Sequence, residues 1–441
     1  MSDGPGSFAG PVRHVYVHVP FCRERCDYCD FASTAVGPAA GCRDATGDEG
    51  RARLLDGYVA AVAAEWEREA AAHDVRRLET LYLGGGTPSL LGPERLEQML
   101  EPFRPFLTPA AEVTVETNPE DVDEGYARWA AASPAAAGAR RAGRAPQARP
   151  PARRGLRVSL GAQSFDPRMR HALGRRAVAD PADAVRLLRA AGVTNLSVDL
   201  IHGIPGQTRA DLEADISAVG ALRPEHVSWY ELDVAEGTVL AERLRGRASA
   251  ATASDATVSD APASAASLPG GEEASPRAGR PDDDERAAGY RRIVRALTAA
   301  GYRWYEVSNF ALPGRRARHN MAYWRARPYL GLGAGAVSTV GRRRRATTRD
   351  VAAYVGALSS GEAPPHEVEE LSDVDVARER LMLAARCGLR VPLGEVAAAL
   401  ATEALPPLAE AGMVSLHGGT ITVTRKGRYV ANEVSVRLFR V

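Results

Sequence analysis

The sequence has little of several features that mark common classes of protein. Its 441 residues include 5 cysteines, an odd number with three of them clustered, so a disulfide framework is not expected. Lysine occurs only at Lys426, which indicates a coding bias, and the arginines balance the acids to a net charge of +1. That balance creates no global field that would select nucleic acid or an anionic membrane.

Long apolar runs are also missing. No stretch approaches the roughly 20 apolar residues that a membrane-spanning helix needs. Residues 1–10 lack the basic start and apolar core of a secretory signal. A hydrophobic content of 45% nevertheless suffices for a sizeable core. We therefore expect a globular protein of the reducing cytoplasm, built either as a large domain with a smaller one appended or as two to three modest domains.

Strand-like and helix-like segments alternate from residue 15 to about residue 340. Helical patterns at 51–72 and 93–106 follow the first two strand patterns. Repeated strand-then-helix units predict an α/β fold with a parallel sheet or barrel. The six predicted strands are at 14–19, 78–83, 112–116, 156–160, 196–201 and 226–232.

Three stretches interrupt this alternation, at 34–49, 130–154 and 246–280. They are rich in Ala, Gly, Ser, Pro or Arg and cannot bury enough apolar area to offset the entropy of ordering them. We expect flexible surface insertions there and a disordered N-terminus over 1–12. An alternative for the arginine-rich second insertion is a nucleic-acid arm.

The insertions divide the chain into a core barrel at 13–245, its completion at 281–358 and a separate tail at 359–441. The tail reads as a helical segment at 371–400, a short helix at 405–411, and a hairpin. Helices followed by a hairpin predict a mostly helical, winged-helix-like domain. Such a domain can bind nucleic acid or act as a packing unit, and its thin basic patch favours packing.

Three cysteines follow the first predicted strand: Cys22, Cys26 and Cys29, in a C-x3-C-x2-C pattern. Three thiolates at this spacing can hold three irons of a four-iron cubane cluster and leave the fourth iron open to a ligand. The alternatives are a zinc site, for which no fourth Cys or His lies at a suitable offset, and three unrelated buried cysteines. Phe31 stands where a further cysteine would complete a C-x-C.

Residues suited to chemistry follow the other predicted strands. The carboxyl ends of parallel barrel strands form one rim, so we expect these residues to converge on the cysteines. A glycine run there lets backbone approach a ligand, although a tight turn would use the same residues. A carboxylate inside an apolar strand needs partners, which favours function. The residues are Gly84, Gly85, Gly86, Thr87, Glu116, Gln163, Asp199, Tyr230 and Glu231.

In combination, these motifs resemble the radical S-adenosylmethionine (SAM) superfamily, and within it the oxygen-independent coproporphyrinogen III oxidase group. The resemblance runs from about residue 13 to the C-terminus, apart from the insertions. It implies a partial (β/α)6 TIM-like barrel that carries a [4Fe-4S] cluster, whose open iron is chelated by SAM. The matching motifs are at 16–22, 84–89, 115–119, 160–165 and 199–208. The resemblance further implies a SAM site lined by Tyr16, Gly85, Gly86, Thr87, Glu116, Gln163, Arg175 and Asp199.

Two subfamilies of this group share these motifs. The decarboxylating oxidases carry a fourth cysteine where Phe31 stands, whereas heme chaperones of the HemW type carry Phe there. The heme chaperones also have an H-N-x-x-Y-W motif, which is present here at 319–324. An imidazole beside two aromatics can ligate heme iron and stack on the macrocycle, but it could equally pack a core. The heme contacts implied by the resemblance are His319, Asn320, Tyr323 and Trp324.

The resemblance therefore implies a heme chaperone that binds heme and delivers it to heme-requiring respiratory proteins. Homodimerisation and peripheral membrane contact would suit such a carrier, and no stable nucleic-acid partner is expected. One motif departs from the family, because Val337 stands where Gly-Leu-Gly-Ala-Gly-Ala-His-Ser usually has its histidine. The alternatives are a coproporphyrinogen III oxidase and a radical SAM enzyme that modifies RNA, which the near-neutral charge disfavours.

Overall fold

The computed structural model describes residues 8–37, 47–133, 156–254 and 279–439. Its strands are β1 (His14–Val19), β2 (Phe21–Cys22), β3 (Thr34–Ala35), β4 (Leu78–Gly85), β5 (Leu107–Thr117), β6 (Arg157–Gln163), β7 (Leu196–His202), β8 (His226–Glu231), β9 (Arg303–Glu306), β10 (Asn309–Ala311), β11 (Leu330–Leu332), β12 (Val337–Val340), β13 (Arg343–Thr347), β14 (His366–Glu370), β15 (Val391–Pro392), β16 (Val414–His417) and β17 (Thr420–Val423).

Helices occupy much of the remaining described chain. The α-helices are α1 (Gly47–Ala72), α2 (Gly92–Leu100), α3 (Glu124–Ala132), α4 (Pro167–Ala172), α5 (Pro181–Ala190), α6 (Arg209–Leu222), α7 (Val239–Ser254), α8 (Asp283–Ala299), α9 (Arg318–Trp324), α10 (Val351–Ser359), α11 (Asp373–Cys387), α12 (Leu393–Val396), α13 (Leu405–Glu410), α14 (Arg425–Arg428) and α15 (Ala431–Leu438). In the described ranges, none of them combines the length and apolarity that a bilayer crossing requires.

A nine-stranded sheet dominates the fold, with the order β11-β1-β4-β5-β6-β7-β8-β10-β9. The strands from β1 to β8 in this order are parallel, and they include all six strands predicted from the sequence. β11 adds to one edge in parallel, while β10 and β9 extend the other edge in antiparallel fashion. This sheet with its crossover helices confirms the predicted α/β fold and its partial (β/α)6 barrel.

Alternation along the parallel strands separates an apolar outer face from a polar interior. On β6, Val158 and Leu160 belong to the main apolar core, whereas Arg157 and Ser159 line an interior cavity. The same period of two holds on β5 and β7, because successive strand side chains point to opposite faces. The interior is therefore filled incompletely by small polar side chains, and space for a ligand remains.

Two predicted helices end earlier than the sequence suggested. The pattern at 93–106 is α-helical only to Leu100, and Pro102 and Pro105 turn the rest into a 3-10 helix. The pattern at 371–400 breaks at Gly388, which adopts φ +61° after the end of α11. The chain beyond it forms the short strand β15 and then the four-residue helix α12.

The C-terminal region has the predicted winged-helix-like composition of helices and a small sheet. Its sheet has the order β15-β17-β16, and it encloses an apolar core of its own. Arg386 of α11 donates to the fully buried Glu306 at 2.7 Å and lies 4.9 Å from the Trp324 ring. Arg428 lies 4.0 Å from the Trp304 ring. These contacts fasten the tail to the barrel edge and support its interpretation as a packing unit.

Several predicted segment boundaries need correction. Phe8 is 3% exposed and its N–H donates to the Ala326 carbonyl, so the predicted disorder does not extend over residues 8–12. β3 and the start of α1 fall inside the first predicted insertion, α3 reaches into the second, and α7 reaches into the third. β14 pairs with β13, so a boundary at 359 would separate paired strands. Residues 1–7, 38–46, 134–154 and 255–278 of these predicted segments lie outside the described residues.

Candidate functional site

The loop that carries the three cysteines is anchored through Asp27. The Asp27 N–H donates to the Leu173 carbonyl at 3.1 Å, and its carboxylate accepts from Arg243 at 2.8 Å. Gly174 packs so closely that a Cβ there would lie 2.3 Å from an Asp27 carboxylate oxygen. At the far end of the loop, the His18 imidazole bonds to the Ala32 carbonyl at 2.8 Å. The loop is therefore held in shape by the barrel itself.

The three thiols are half-buried and line the same cavity. Burial raises the pKa of Cys22, and it raises the pKa of Cys26 to about 11 despite the nearby Arg175. The Thr87 hydroxyl donates to the Cys22 sulfur at 3.6 Å. Metal binding would release these thiol protons, because the thiolate is the ligand. In the described part of the chain, no three Cys, His, Asp or Glu side chains are grouped to hold a single ion.

The cavity has a volume of about 440 Å³ and opens beside the cysteine loop. Tyr16 is the one predicted SAM contact that does not line it. The Tyr16 hydroxyl bonds to His18 at 3.0 Å, and its ring lies 6.0 Å from that of Tyr82, its partner on the neighbouring strand β4. The predicted residues that do line the cavity are Cys22, Cys26, Cys29, Gly85, Gly86, Thr87, Glu116, Gln163, Arg175, Asp199, Tyr230, Glu231 and Asn320.

The glycine run ends β4 and passes tightly against β1. Gly85 adopts φ +110°, and a Cβ there would lie 2.4 Å from the His18 ring. A Cβ on Gly86 would lie 2.7 Å from the Phe21 carbonyl oxygen. Only glycine fits both positions, which explains how the backbone itself becomes cavity wall.

Two half-buried carboxylates, Glu116 and Asp199, face the cavity from β5 and β7. Glu116 accepts hydrogen bonds from the Tyr82 hydroxyl at 2.7 Å and the Gly85 N–H at 3.0 Å. Burial, reinforced by Asp199, raises the pKa of Glu116 to about 7. Burial also raises the pKa of Asp199, which accepts from Ser159 at 2.9 Å. Carboxylates in such surroundings are suited to accept from an ammonium or a ribose hydroxyl.

A second hydrogen-bond network holds the guanidinium of Arg175 beside the cavity. Arg175 donates to the Gly161 carbonyl and to the Asn118 side chain, and Asn118 in turn donates to Thr87 at 3.0 Å. Gln163 has φ +64°, next to a register shift between β6 and β7. A non-glycine residue in this conformation is costly and commonly marks a functional site.

Sequence reasoning missed several residues of the cavity wall, among them Tyr82 and Asn118. Tyr82 lies two residues before Gly84 on the same strand face, and Asn118 directly follows the end of β5. The strand-end rule could have found Asn118. Tyr82 gave no separate signal, because an aromatic residue in a strand is ordinary packing material.

The H-N-x-x-Y-W motif forms helix α9, and its members separate. His319 is 1% exposed; its ring nitrogens bond to the Thr80 hydroxyl at 2.7 Å and the Tyr323 hydroxyl at 2.9 Å. Burial lowers the pKa of His319 well below its usual value. Asn320 is the member that reaches the cavity, because neighbouring helical side chains point in different directions.

In this structure both ring nitrogens of His319 are engaged within the protein. Its ring lies 5.2 Å from that of Tyr82, behind the cavity wall, and iron ligation would require both of its hydrogen bonds to break. Tyr323 packs edge-on against Tyr329, and Trp324 packs under Arg386. A heme-contacting role for the motif stays a prediction.

Val337, which replaces the family's usual histidine, lies on β12 opposite Ala346. It is not among the residues that line the cavity. Its backbone instead presses against Gly331, where a Cβ would lie 2.2 Å from the Val337 carbonyl oxygen. The substitution therefore changes a position outside the cavity wall.

The residues of the cavity fit a cubane cluster and SAM. Three thiolates that bind three different irons of a cluster lie farther apart than the ligands of a single ion. The three cysteines line one cavity without being grouped around a single point, which agrees with such a cluster. Glycine backbone, two half-buried carboxylates and a guanidinium offer partners for an amino acid and a ribose. When bound, the pair supplies one-electron reductive chemistry at the sulfonium. Cluster and SAM would be held by Cys22, Cys26, Cys29, Gly85, Gly86, Thr87, Glu116, Gln163, Arg175 and Asp199.

The fold and this site define a radical SAM protein. Residues 16–219 match the family model described as the Radical SAM superfamily. This membership implies a [4Fe-4S] cluster and SAM as cofactors.

Comparison with known proteins indicates the family to which the chain belongs within the radical SAM superfamily. The heme chaperone HemW of Mycobacterium tuberculosis is 34% identical over 428 residues, which span 95% of this chain and 93% of that protein. HemW of Synechocystis is 30% identical, across 88% and 80% of the two chains. The solved coproporphyrinogen III oxidase of Escherichia coli matches with a TM-score of 0.70 at 19% identity, covering 97% of this chain and 90% of that one, and shows the fold. The chain belongs to the HemW family.

Proposed function

We propose that this protein is a heme chaperone that binds heme and hands it to heme-requiring respiratory proteins. The observation that carries the proposal is the position of Phe31 within a chain of the HemW family. Phe31 is 63% exposed and lines the cavity where the related oxidases carry a fourth cysteine. The cavity thus offers an aromatic surface in place of a thiol beside the cluster.

The cluster and SAM would support or regulate heme transfer in this proposal. A cytoplasmic location, homodimerisation and peripheral membrane contact remain predictions that belong to the carrier role. The heme acceptor is expected to be a respiratory heme protein. The proposal does not depend on the His319 imidazole as the iron ligand, because its ring nitrogens bond to Thr80 and Tyr323 within the protein.

Anaerobic titration with hemin tests the proposal. The cluster-loaded protein should show saturable binding with a changed Soret band, and it should release the heme to an apoprotein acceptor. A protein without cluster and SAM serves as the reference for their contribution. An absence of saturable binding would remove the basis of the carrier role.

The oxidase alternative is tested in parallel. Coproporphyrinogen III is incubated anaerobically with the cluster-loaded protein, SAM and a reductant. The chaperone proposal predicts no turnover, whereas protoporphyrinogen formed over many cycles would replace it with decarboxylation.

A further inference from the structure

Exposed aromatic side chains are concentrated at one place in this molecule. The chain has 8 Phe, 5 Trp and 13 Tyr, all within the described ranges. Among them, only Phe31 and Tyr230 are exposed, at 63% and 43%. Both line the cavity that contains the three cysteines. Two exposed rings at the mouth of one cavity provide apolar area that a ligand could cover.

The two rings reach the mouth from opposite ends of the barrel wall. Phe31 follows the cysteine loop after β1, and Tyr230 lies near the end of β8. In the sheet, β1 and β8 are the first and last of the six parallel barrel strands. A flat ligand lying across the opening can therefore contact one ring at each side.

We propose that Phe31 and Tyr230 form the porphyrin-binding platform of this protein, which stacks the apolar faces of the macrocycle over the cluster cavity. This inference rests on the proposed heme-chaperone function and gives the heme a place other than the His319 imidazole. Offset or edge-on contacts with two aromatic rings are the geometry that such a macrocycle favours.

The charges of the cavity lining favour this occupant over a nucleic acid. A polyphosphate chain would meet more negative than positive side chains, which is unfavourable. A porphyrin can direct its two propionates outward and place only its apolar faces on the platform. The charged residues that line the cavity outside the buried wall are Glu24, Arg25, Asp30, Glu231 and Asp233.

The cavity offers no free imidazole for the iron. Among the described residues that line it, His226 is the one histidine, and it is 2% exposed. Its ring nitrogens bond to the Ser197 hydroxyl at 2.8 Å and the Tyr305 hydroxyl at 2.7 Å. Stacking rather than axial ligation should therefore dominate, and metal-free protoporphyrin IX should bind nearly as well as hemin.

The test uses the cluster-loaded full chain and the fluorescence of metal-free protoporphyrin IX. Phe31→Ser and Tyr230→Ser should each weaken binding by about threefold to tenfold, and the double variant by about tenfold to 100-fold. Phe31→Tyr should restore most of the affinity. Val178→Ser is the matched control, because Val178 is 95% exposed and does not line the cavity. Iron content and SAM binding, measured for each variant, establish that the site is intact.

Each contrary outcome has a distinct meaning. Porphyrin affinity unchanged in the double variant overturns the platform but leaves the chaperone function standing. Binding of hemin without binding of metal-free protoporphyrin IX overturns stacking in favour of an iron ligand. Salt-sensitive RNA binding that depends on Phe31 would assign the platform to another class of ligand. If the wild-type protein binds no porphyrin at all, the proposed function itself fails.

Discussion

The barrel interior and the packing around helix α9 are built from the same kinds of residue but differ in how their hydrogen bonds are completed. Around α9, His319 bonds to the hydroxyls of Thr80 and Tyr323, and Glu112 accepts from the N–H groups of Arg318 and His319. In the interior, Glu116 and Asp199 face a cavity, and burial raises the pKa of both. A polar network that is closed on itself stabilises a fold, whereas one that faces a cavity is prepared for a ligand.

Among the residues that face the cavity, we expect substitutions in the cysteine loop to have the largest effect. Cys26→Ser should abolish cluster binding, because it removes one of the three thiolates that hold the irons. Iron content and the visible absorption of the cluster should fall to background. Cys387→Ser is the control, since Cys387 lies outside the cavity and should leave the cluster unchanged. Full cluster content in Cys26→Ser would show that the iron site lies elsewhere.

The contact between Gly174 and Asp27 supports the cysteine loop. It can be weakened without changing a residue that would bind the cluster or SAM. Gly174→Ala would place a Cβ against Asp27 at a residue with φ +75°, and it should cost about 3 kcal/mol of the free energy of unfolding. Gly192→Ala has φ +99° but meets no atom within 4 Å, so it should cost only about 1 kcal/mol. Urea unfolding measures both. Equal losses would mean that close packing at Asp27 does not matter.

The hydrogen-bond network that faces the cavity, with Glu116 and Asp199, should make the affinity for SAM depend on pH. The pKa of Glu116 is raised to about 7, so the carboxylate fraction grows as pH rises through that value. If the carboxylate accepts a hydrogen bond from SAM, affinity for SAM should increase between pH 6 and pH 8. Glu116→Gln should weaken binding by about tenfold to 100-fold and flatten the profile.

Calorimetry at both pH values measures this difference for wild type, Glu116→Gln and the control Glu94→Gln, whose side chain is exposed on α2. The control should follow the wild-type profile. A profile in Glu116→Gln that still rises with pH would assign the dependence to another group, with Asp199 the first to examine.

The hydrogen bonds around α9, which are completed within the protein, should affect the free energy of unfolding more than ligand affinity. His319→Phe leaves the Tyr323 hydroxyl without its partner and should cost about 2 kcal/mol of the free energy of unfolding. Porphyrin affinity should change by less than about twofold. His171→Phe, at an exposed position on α4, should cost less than about 0.5 kcal/mol. Loss of hemin binding in His319→Phe without loss of stability would restore the histidine as iron ligand.

The sequence was most informative where a side chain follows a parallel strand. The ends of such strands share one rim, so Glu116, Gln163 and Asp199 could be assigned to the cysteine site without knowledge of the contacts. Gly388 and Pro392 carried a helix-ending signal that the apolar pattern of 371–400 concealed.

The directions of the side chains of the H-N-x-x-Y-W motif on α9 could not be predicted in the same way. A helix directs neighbouring side chains to different sides, so the sequence did not reveal that His319 would face the back of the wall while Asn320 reached the cavity. Likewise, the sequence showed that Phe31 replaces a cysteine but not that it is exposed. Both properties depend on the tertiary arrangement of elements distant along the chain.

The bracing of the cysteine loop has a consequence for how the holoprotein is made. Gly335 packs against Ala32, about 300 positions earlier in the sequence, and β11 pairs with β1. A ribosome therefore releases the cysteines long before the segment that supports them. We expect iron insertion to follow translation, with nascent chains that stop short of β11 remaining iron-free.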